Sequence, residues 1–371
     1  MIFVFIIILT VFTALVAYVA LRGCQVLQDD QLICNIYLVT TIILYICFIS
    51  GVFLERISTT PIAKSIAFVG NSALIIFFYL LMMFVIVDII RLANYFLHFA
   101  PEGMIVFRKW TLFASLAVIV VVMIIGNYKF NNPEVVHLNL NVNDKPTQNR
   151  ELRIVVASDI HLGVSLDKKR LQKYVKLINE QNPDMVLVAG DLIDNVLAPL
   201  VKQNMNEDLR VINAPLGVFS VPGNHEYISG NIDGVIEFFR RGNIHVLRDS
   251  VVLIDDSFYL VGRDDRMIRD RKSLTQLING IDRTKPIILL DHQPFNLEEA
   301  EESGVDLQLS GHTHAGQIFP INLMTNRMFE TAHGYTARGN THYYVSSGLA
   351  LWGLQYRIGT QSEIVVITLS F

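Results

Sequence analysis

The chain has 371 residues, a formal net charge of −4, 52% hydrophobic residues and 17% charged ones. A near-neutral balance with no basic run excludes electrostatic nucleic-acid binding, and the scattered charges read as a solvated surface. The mean hydropathy of +0.42 is high for a soluble protein, and the excess is uneven: residues 1–126 hold nearly all the long apolar runs.

Four segments in the apolar half approach or exceed the ~20 residues that cross a ~30 Å hydrocarbon core. They are approximately Ile2–Leu21, Leu32–Leu54, Ile66–Ile90 and Trp110–Gly126, the last at the short end. A cleaved signal peptide explains only the first, which lacks a basic start and a small-residue cleavage site. Four transmembrane helices are expected, with three or five as alternatives. They would place both termini on one side. Arg22, Arg91, Arg108 and Lys109 flank one end of the spans, and Arg56, Lys64, Lys129 and Lys145 the other, a tie under the positive-inside rule. Arg22 follows the first span and no basic residue precedes it, which favours both termini outside. Asp88 and Arg91, at i and i+3 near the end of the third span, read as a self-neutralising pair. Cys24, Cys34 and Cys47 all lie in this half, so the polar half has neither a disulfide framework nor a cysteine metal site.

Residues 127–149 read as a polar connector with a first strand, in which Val136, Leu138, Leu140 and Val142 alternate with polar residues. His137 is therefore expected to point outward. From residue 150 to 371 the chain reads as one α/β domain. Leu152–Ala157 is a buried strand ending at Ser158-Asp159-Ile160-His161. Leu171, Val175 and Ile178 mark a helix that Pro183 ends. Met185–Ala189 stops at Gly190-Asp191, Val218–Val221 at Pro222-Gly223-Asn224-His225, Ile287–Leu290 at Asp291-His292, and Leu307–Leu309 at Ser310-Gly311-His312. Each polar cluster follows the carboxyl end of an apolar strand, the edge where loops of α/β folds converge on a ligand. Gly190, Gly223 and Gly311 each precede a candidate ligand and would permit a sharp turn or a close backbone approach.

Carboxylates, one amide and several imidazoles without a thiol suit hard to borderline divalent ions such as manganese, iron or zinc. The ordered set Asp159-x-His161, Gly190-Asp191-x-x-Asp194, Gly223-Asn224-His225-Glu226, His292 and Gly311-His312-x-His314 resembles the calcineurin-like metallophosphoesterase family. Gly311-His312-Thr313-His314-Ala315-Gly316-Gln317-Ile318 and Tyr344-Val345-Ser346-Ser347-Gly348 are closest to its YkuE-like branch, where the position of Ala315 is usually glycine. The match covers the polar half alone.

The resemblance implies a four-layer αββα sandwich behind the four-helix transmembrane region. It implies one ion on Asp159, His161, Asp191 and His314, and a second on Asp191, Asn224, His292 and His312. Asp191 would bridge them, as two cations ~3.5–4 Å apart require a shared anion. A metal-activated hydroxide would attack phosphorus, and His225 would be the general acid. Asp194 and Glu226 would orient a histidine from behind. Arg357 is a candidate phosphate contact, His333 and His342 are weaker candidates to line the pocket, and His245 reads as structural. Leu349–Leu354, with Trp352, reads either as a lipid-facing lip or as core.

The expected activity is that of a membrane-anchored dinuclear phosphoesterase or pyrophosphatase, acting on a phosphorylated small molecule or a lipid. Membrane-associated members of the branch that cleave lipid-linked pyrophosphates point to a nucleotide-linked lipid such as UDP-diacylglucosamine, and to the plasma membrane of a bacterium. The alternatives are the same chemistry on a soluble nucleotide or phosphoprotein, and a non-catalytic metal-binding sensor or scaffold. Metal identity and oligomeric state are left open.

Overall fold

The apolar runs of the first half form four helices in the computed structural model, which describes residues 2–58, 60–99, 104–142 and 150–371. They are α1 (Ile2–Val26), α2 (Gln31–Ile57), α3 (Pro61–Leu97) and α4 (Met104–Asn131). The Asp30 carboxylate accepts the Ile33 amide at the start of α2. Thr60 does the same for Ala63 on α3, whose first residue is Pro61, a position where a missing amide proton costs nothing. All four helices are long and apolar enough to cross a membrane. Their contacts with each other use Val16, Val19, Phe77, Leu80, Phe84, Leu112 and Ile119, while Ile42, Ile46, Ile86 and Ile124 face outward and are exposed. Apolar side chains on both the inner and outer faces suit hydrocarbon surroundings.

Two details depart from expectation. Because α3 continues to Leu97, Asp88 and Arg91 lie well inside a helix and form more than a pair. Asp88 takes Arg91 at 2.9 Å, the Tyr18 hydroxyl at 2.7 Å and Arg22 at 2.5 Å. The fourth helix also runs past Gly126 to Asn131, through residues expected to be connector. Phe130 explains this, as it is fully buried in the core of the second half with the Arg170 guanidinium over its ring. Lys145 and the rest of residues 143–149 lie outside the described residues.

The chain divides into two units, Met1–Ile125 and Gly126–Phe371. The second contains, in order, β1 (Glu134–Asn141), β2 (Glu151–Ala157), α5 (Lys168–Asn179), β3 (Met185–Val188), α6 (Ala198–Lys202), α7 (Met205–Leu209), β4 (Val218–Ser220), α8 (Asn224–Ile228), α9 (Ile232–Arg241), β5 (Ile244–Val246), β6 (Ser250–Ile254), β7 (Phe258–Gly262), α10 (Leu274–Leu277), β8 (Ile287–Leu290), α11 (Leu297–Glu302), β9 (Leu307–Ser310), α12 (Ile321–Met328), β10 (Gly334–Arg338), β11 (Thr341–Val345) and β12 (Glu363–Ser370). They build two six-stranded mixed sheets, ordered β1-β12-β2-β3-β4-β5 and β10-β11-β9-β8-β7-β6. The β2-β3-β4-β5 and β7-β8-β9-β11 pairings are parallel.

β2, β3, β8 and β12 each carry four consecutive apolar residues and lie inside a sheet, where both of their faces are covered. Ile154, Val156, Leu187, Ile288, Leu290, Leu309, Val365 and Ile367 fill the space between the sheets. The opposite face of the first sheet packs on α5, α7 and α9 through Val155, Val186, Leu171, Leu209 and Phe239. That of the second packs on α10 and α11 through Leu289, Leu274, Leu277, Leu297 and Ala300. The result is helix, sheet, sheet, helix. β1 lies parallel to β12 at the edge of the first sheet, and His137 is exposed there as its place in the alternation requires.

Candidate metal centre

The carboxyl ends of β2, β3 and β4 in one sheet and of β8 and β9 in the other deliver every expected ligand to one place. Backbone hydrogen bonds join their loops: Asp159 N to Gly190 O (3.1 Å), His161 N to Asp191 O (3.0 Å) and Gly311 N to His292 O (2.9 Å). Three overlapping groups result, Asp159/His161/His314, His161/Asp191/His225 and Asp191/His292/His312, each with ligand atoms within 4.8 Å of one another. Asp191 Oδ2 lies 3.2 Å from His292 Nε2 and 3.8 Å from His161 Nε2, so it stands between the first and third groups. Asn224 joins the third through its Oδ1, 3.0 Å from His312 Nδ1.

The backbone at these positions is unusual. Asp159, His161, Asp191, His312 and His314 all have φ between 48° and 70°, the left-handed region that residues with a Cβ rarely occupy. The sequence reading assigned such turns to the glycines; the ligands themselves make them. Asp and His tolerate this conformation better than branched residues, and strained residues of this kind gather at functional sites. Gly190 is also left-handed, and a Cβ there would lie 2.5 Å from His292 Nδ1. Gly223 has ordinary φ and is required for space: a Cβ would lie 2.2 Å from Asp191 Oδ1.

The donors suit divalent cations. His161 Nε2 and His314 Nε2 face each other at 3.4 Å, and the Nδ1 atoms of both rings are buried without a hydrogen-bond partner. Burial pushes His161 and His312 down to about 4 and His314 well below the ordinary histidine value, so all three are neutral at pH 7, the form that ligates metal. Burial raises the Asp191 carboxyl, but His292 and His161 beside it more than offset this and hold it below the usual carboxylate range. His292 Nδ1 lies 2.7 Å from Ala189 O, which fixes that nitrogen as the donor and leaves Nε2 toward Asp191.

The supporting residues divide unexpectedly. Asp194 Oδ1 is 3.3 Å from His225 Nδ1, so it does stand behind a histidine. Glu226 instead accepts the backbone amides of Asp191 (3.1 Å), Ile193 (3.1 Å) and Gly223 (2.8 Å), tying two ligand loops together. Arg357 is not placed to grip phosphate. It is fully buried, and its guanidinium donates to the carbonyls of His314 (2.9 Å), Ser347 (2.6 Å), Gly348 (2.8 Å) and Ala350 (2.8 Å) and to Ser362 Oγ (3.2 Å). It holds the His314 loop against residues 347–350.

His333 lies against Glu363, His342 against the Tyr335 hydroxyl and His245 over Phe219, and none is in the three groups. The 349–354 stretch divides: Leu349, Ala350 and Leu351 are core, whereas Trp352 is 54% exposed with its ring 6.0 Å from that of His225. Two supports escaped sequence reasoning. Ser158 donates to Asp159 Oδ2, and Asp291, next to His292, is buried between Arg263 and Arg271. A Ser before the Asp and an Asp before the His were visible, but their partners come from distant segments.

A family model described as calcineurin-like phosphoesterase matches residues 152–316. An uncharacterized metallophosphoesterase of Campylobacter jejuni is 36% identical over 264 residues, covering 69% of this chain and 68% of that protein. The uncharacterized metallophosphoesterase YkuE of Bacillus subtilis is 32% identical, covering 58% of this chain and 78% of that protein. A zebrafish (Danio rerio) protein described as a transmembrane protein with metallophosphoesterase domain is 34% identical over 64% of this chain, but the match spans only 57% of that protein's own length.

Proposed function

The chain belongs to the calcineurin-like metallophosphoesterase family, and on that premise we propose that it is a membrane-anchored hydrolase of phosphoric ester or pyrophosphate bonds that works with two divalent ions. The observation that carries this reading is the Asp191 carboxylate between two groups of imidazole and carboxylate donors. Asp159, His161, Asp191 and His314 would hold one ion, and Asp191, Asn224, His292 and His312 the other. Bound there, divalent ions would polarise phosphoryl oxygens and lower the pKa of water to near neutrality.

The chain's own residues supply the rest. His225 is buried; burial lowers its pKa, but Asp194 and Asp191 more than reverse this and leave it above the ordinary histidine value. The shift favours the protonated imidazole, the form that can give a proton to a leaving oxygen. Asp194 orients it, and Arg357 and Glu226 fix the loops that carry the donors.

For substrate we favour a phosphate ester or pyrophosphate on a membrane lipid, a nucleotide-linked lipid being the specific candidate. Four apolar helices on the same chain and an exposed Trp352 beside His225 support a lipid over a soluble phosphate. Arg22, near the carboxyl end of α1, favours a catalytic unit outside the cytoplasm, which a reporter fused after Phe371 would test. Hydrolysis of bis(p-nitrophenyl) phosphate by the full chain in detergent should cease with chelator, return with manganese, iron or zinc, and fall to background in Asp191→Asn and His292→Ala. Full activity in either variant overturns the site. Preference for a deacylated analogue over a nucleotide-linked lipid overturns the substrate and leaves the chemistry intact.

A further inference from the structure

The inner face of the four-helix unit changes character at one end. On α3, Phe77, Leu80 and Phe84 pack into the bundle core, and the same stripe continues, at i+4 and i+7 from Phe84, with Asp88 and Arg91. On α1, Arg22 follows the buried Val19 at i+3, and on α4, Arg108 precedes the buried Leu112 by one turn. Arg22 and Arg91 both bind the Asp88 carboxylate, which also accepts the Tyr18 hydroxyl. The Arg22 guanidinium lies 5.3 Å over the Tyr18 ring and donates to Gln25 Oε1 at 2.9 Å. Arg108 stands close enough to feel the charges of Arg91, Asp88 and Arg22, yet among the described residues no carboxylate pairs with it. Asp29 and Asp30 lie in the turn after α1, where Asp30 caps α2.

Three guanidinium groups thus gather around one carboxylate, and positive charge is in excess. The side chains of Arg22, Asp88 and Arg91 are only 28%, 24% and 35% exposed. Positive charge withdrawn from water among apolar helices is costly unless an anion pairs with it. Each guanidinium has five N–H donors in a planar fork. Asp88 and Gln25 leave most of them free, and the fork matches the oxygens of a phosphate. The neighbours decide what carries that phosphate. Leu21, Leu92 and Phe107, each adjoining one of the arginines in sequence, are exposed. They offer a surface for acyl chains, which a soluble anion does not need.

We propose that Arg22, Arg91 and Arg108, near the end of α1, the end of α3 and the start of α4, form a site for the phosphate of an anionic lipid headgroup. Asp88 and Tyr18 position two of the three arginines. Basic pockets between transmembrane helices take such headgroups. The site rests on these helices lying in a bilayer and on nothing in the metal centre, so it and the hydrolytic reading can fail separately.

The test titrates the full chain, stripped of lipid in a nonionic detergent, with short-chain phosphatidylglycerol, short-chain phosphatidylcholine and inorganic phosphate, and counts bound lipid by native mass spectrometry. Phosphatidylglycerol should bind about tenfold tighter than phosphatidylcholine, whose choline cancels the phosphate charge. Equimolar inorganic phosphate should not displace it. Arg108→Gln leaves the Asp88 pairs intact and should weaken phosphatidylglycerol about tenfold, the worth of one charge-assisted hydrogen bond. Arg108→Lys should recover part of that loss. If Arg108→Gln does not fold, the natural chain gives the reading, since a charge-held headgroup should bind more weakly at about 1 M salt than at about 0.1 M. Equal binding of the two lipids, unchanged affinity in folded Arg108→Gln, or affinity independent of salt overturns the proposal. Displacement by inorganic phosphate overturns the lipid as occupant and assigns the arginines to a free anion.

Discussion

Arg357→Ala separates a structural arginine from a phosphate-binding one. The guanidinium reaches four backbone carbonyls. Two have a second donor, Gln317 N for His314 O and Glu363 N for Gly348 O. Among the described residues Arg357 alone serves the carbonyls of Ser347 and Ala350. Each buried acceptor left unpaired costs about 1–3 kcal/mol, so the two together cost about 2–6 kcal/mol before any cavity is counted. A central value of about 4 kcal/mol is a large share of the ~5–15 kcal/mol that stabilises a typical domain. For a unit of this size it corresponds to roughly 8–16 °C in melting temperature. Burial lowers the Arg357 pKa to about 10, which still leaves it charged at pH 7, and Arg357→Lys should recover part of the loss by reaching some of the carbonyls. The assay is thermal unfolding of the full chain in detergent, with KM for bis(p-nitrophenyl) phosphate measured well below the melting temperature. An unchanged melting temperature with a raised KM would refute the reasoning and return Arg357 to the substrate.

Gly223→Ala should cut kcat/KM by about a hundredfold and lower bound metal, because the added Cβ would meet both Oδ1 and the backbone nitrogen of Asp191; metal content and single-turnover rates check this. Glu226→Ala removes the acceptor of three buried amides and should weaken metal binding by about 10–100-fold, read by titration with a competing chelator. Glu363 gives a pH test. Burial raises its pKa, but His333 and the Ser347 amide prevail and hold it below its ordinary value of 4.5. A depressed folded pKa stabilises the fold fully above the unfolded value and loses that stabilisation as pH falls through the folded one. The melting-temperature gap between the natural chain and Glu363→Gln should therefore be present at pH 7 and close as pH falls below about 4.5. A gap independent of pH would show that charge plays no part.

The ligand loops were legible because their information is local. A run such as Ile287–Leu290 has no polar residue to expose, so it must be an inner strand, and Asp291-His292 must follow at its end. The spans were legible for the same reason, since length and hydropathy are sums over neighbours. Strands at the edges were less so: β5 has three residues and β10 has few apolar ones, and pairing with a neighbour rather than pattern makes them strands.

Sequence alone thus determined which side chains this protein brings to its strand ends and in what order, because each choice is written within a few residues. Tertiary structure decided what those residues do. It turned Arg357 inward onto carbonyls contributed by residues 314–350, carried α4 five residues further by burying Phe130, and gave the ligands a left-handed backbone. It also left one face of α12 uncovered. Each outcome depends on partners far away in the chain, and a buried donor or an exposed methyl group is defined only once those partners are in place.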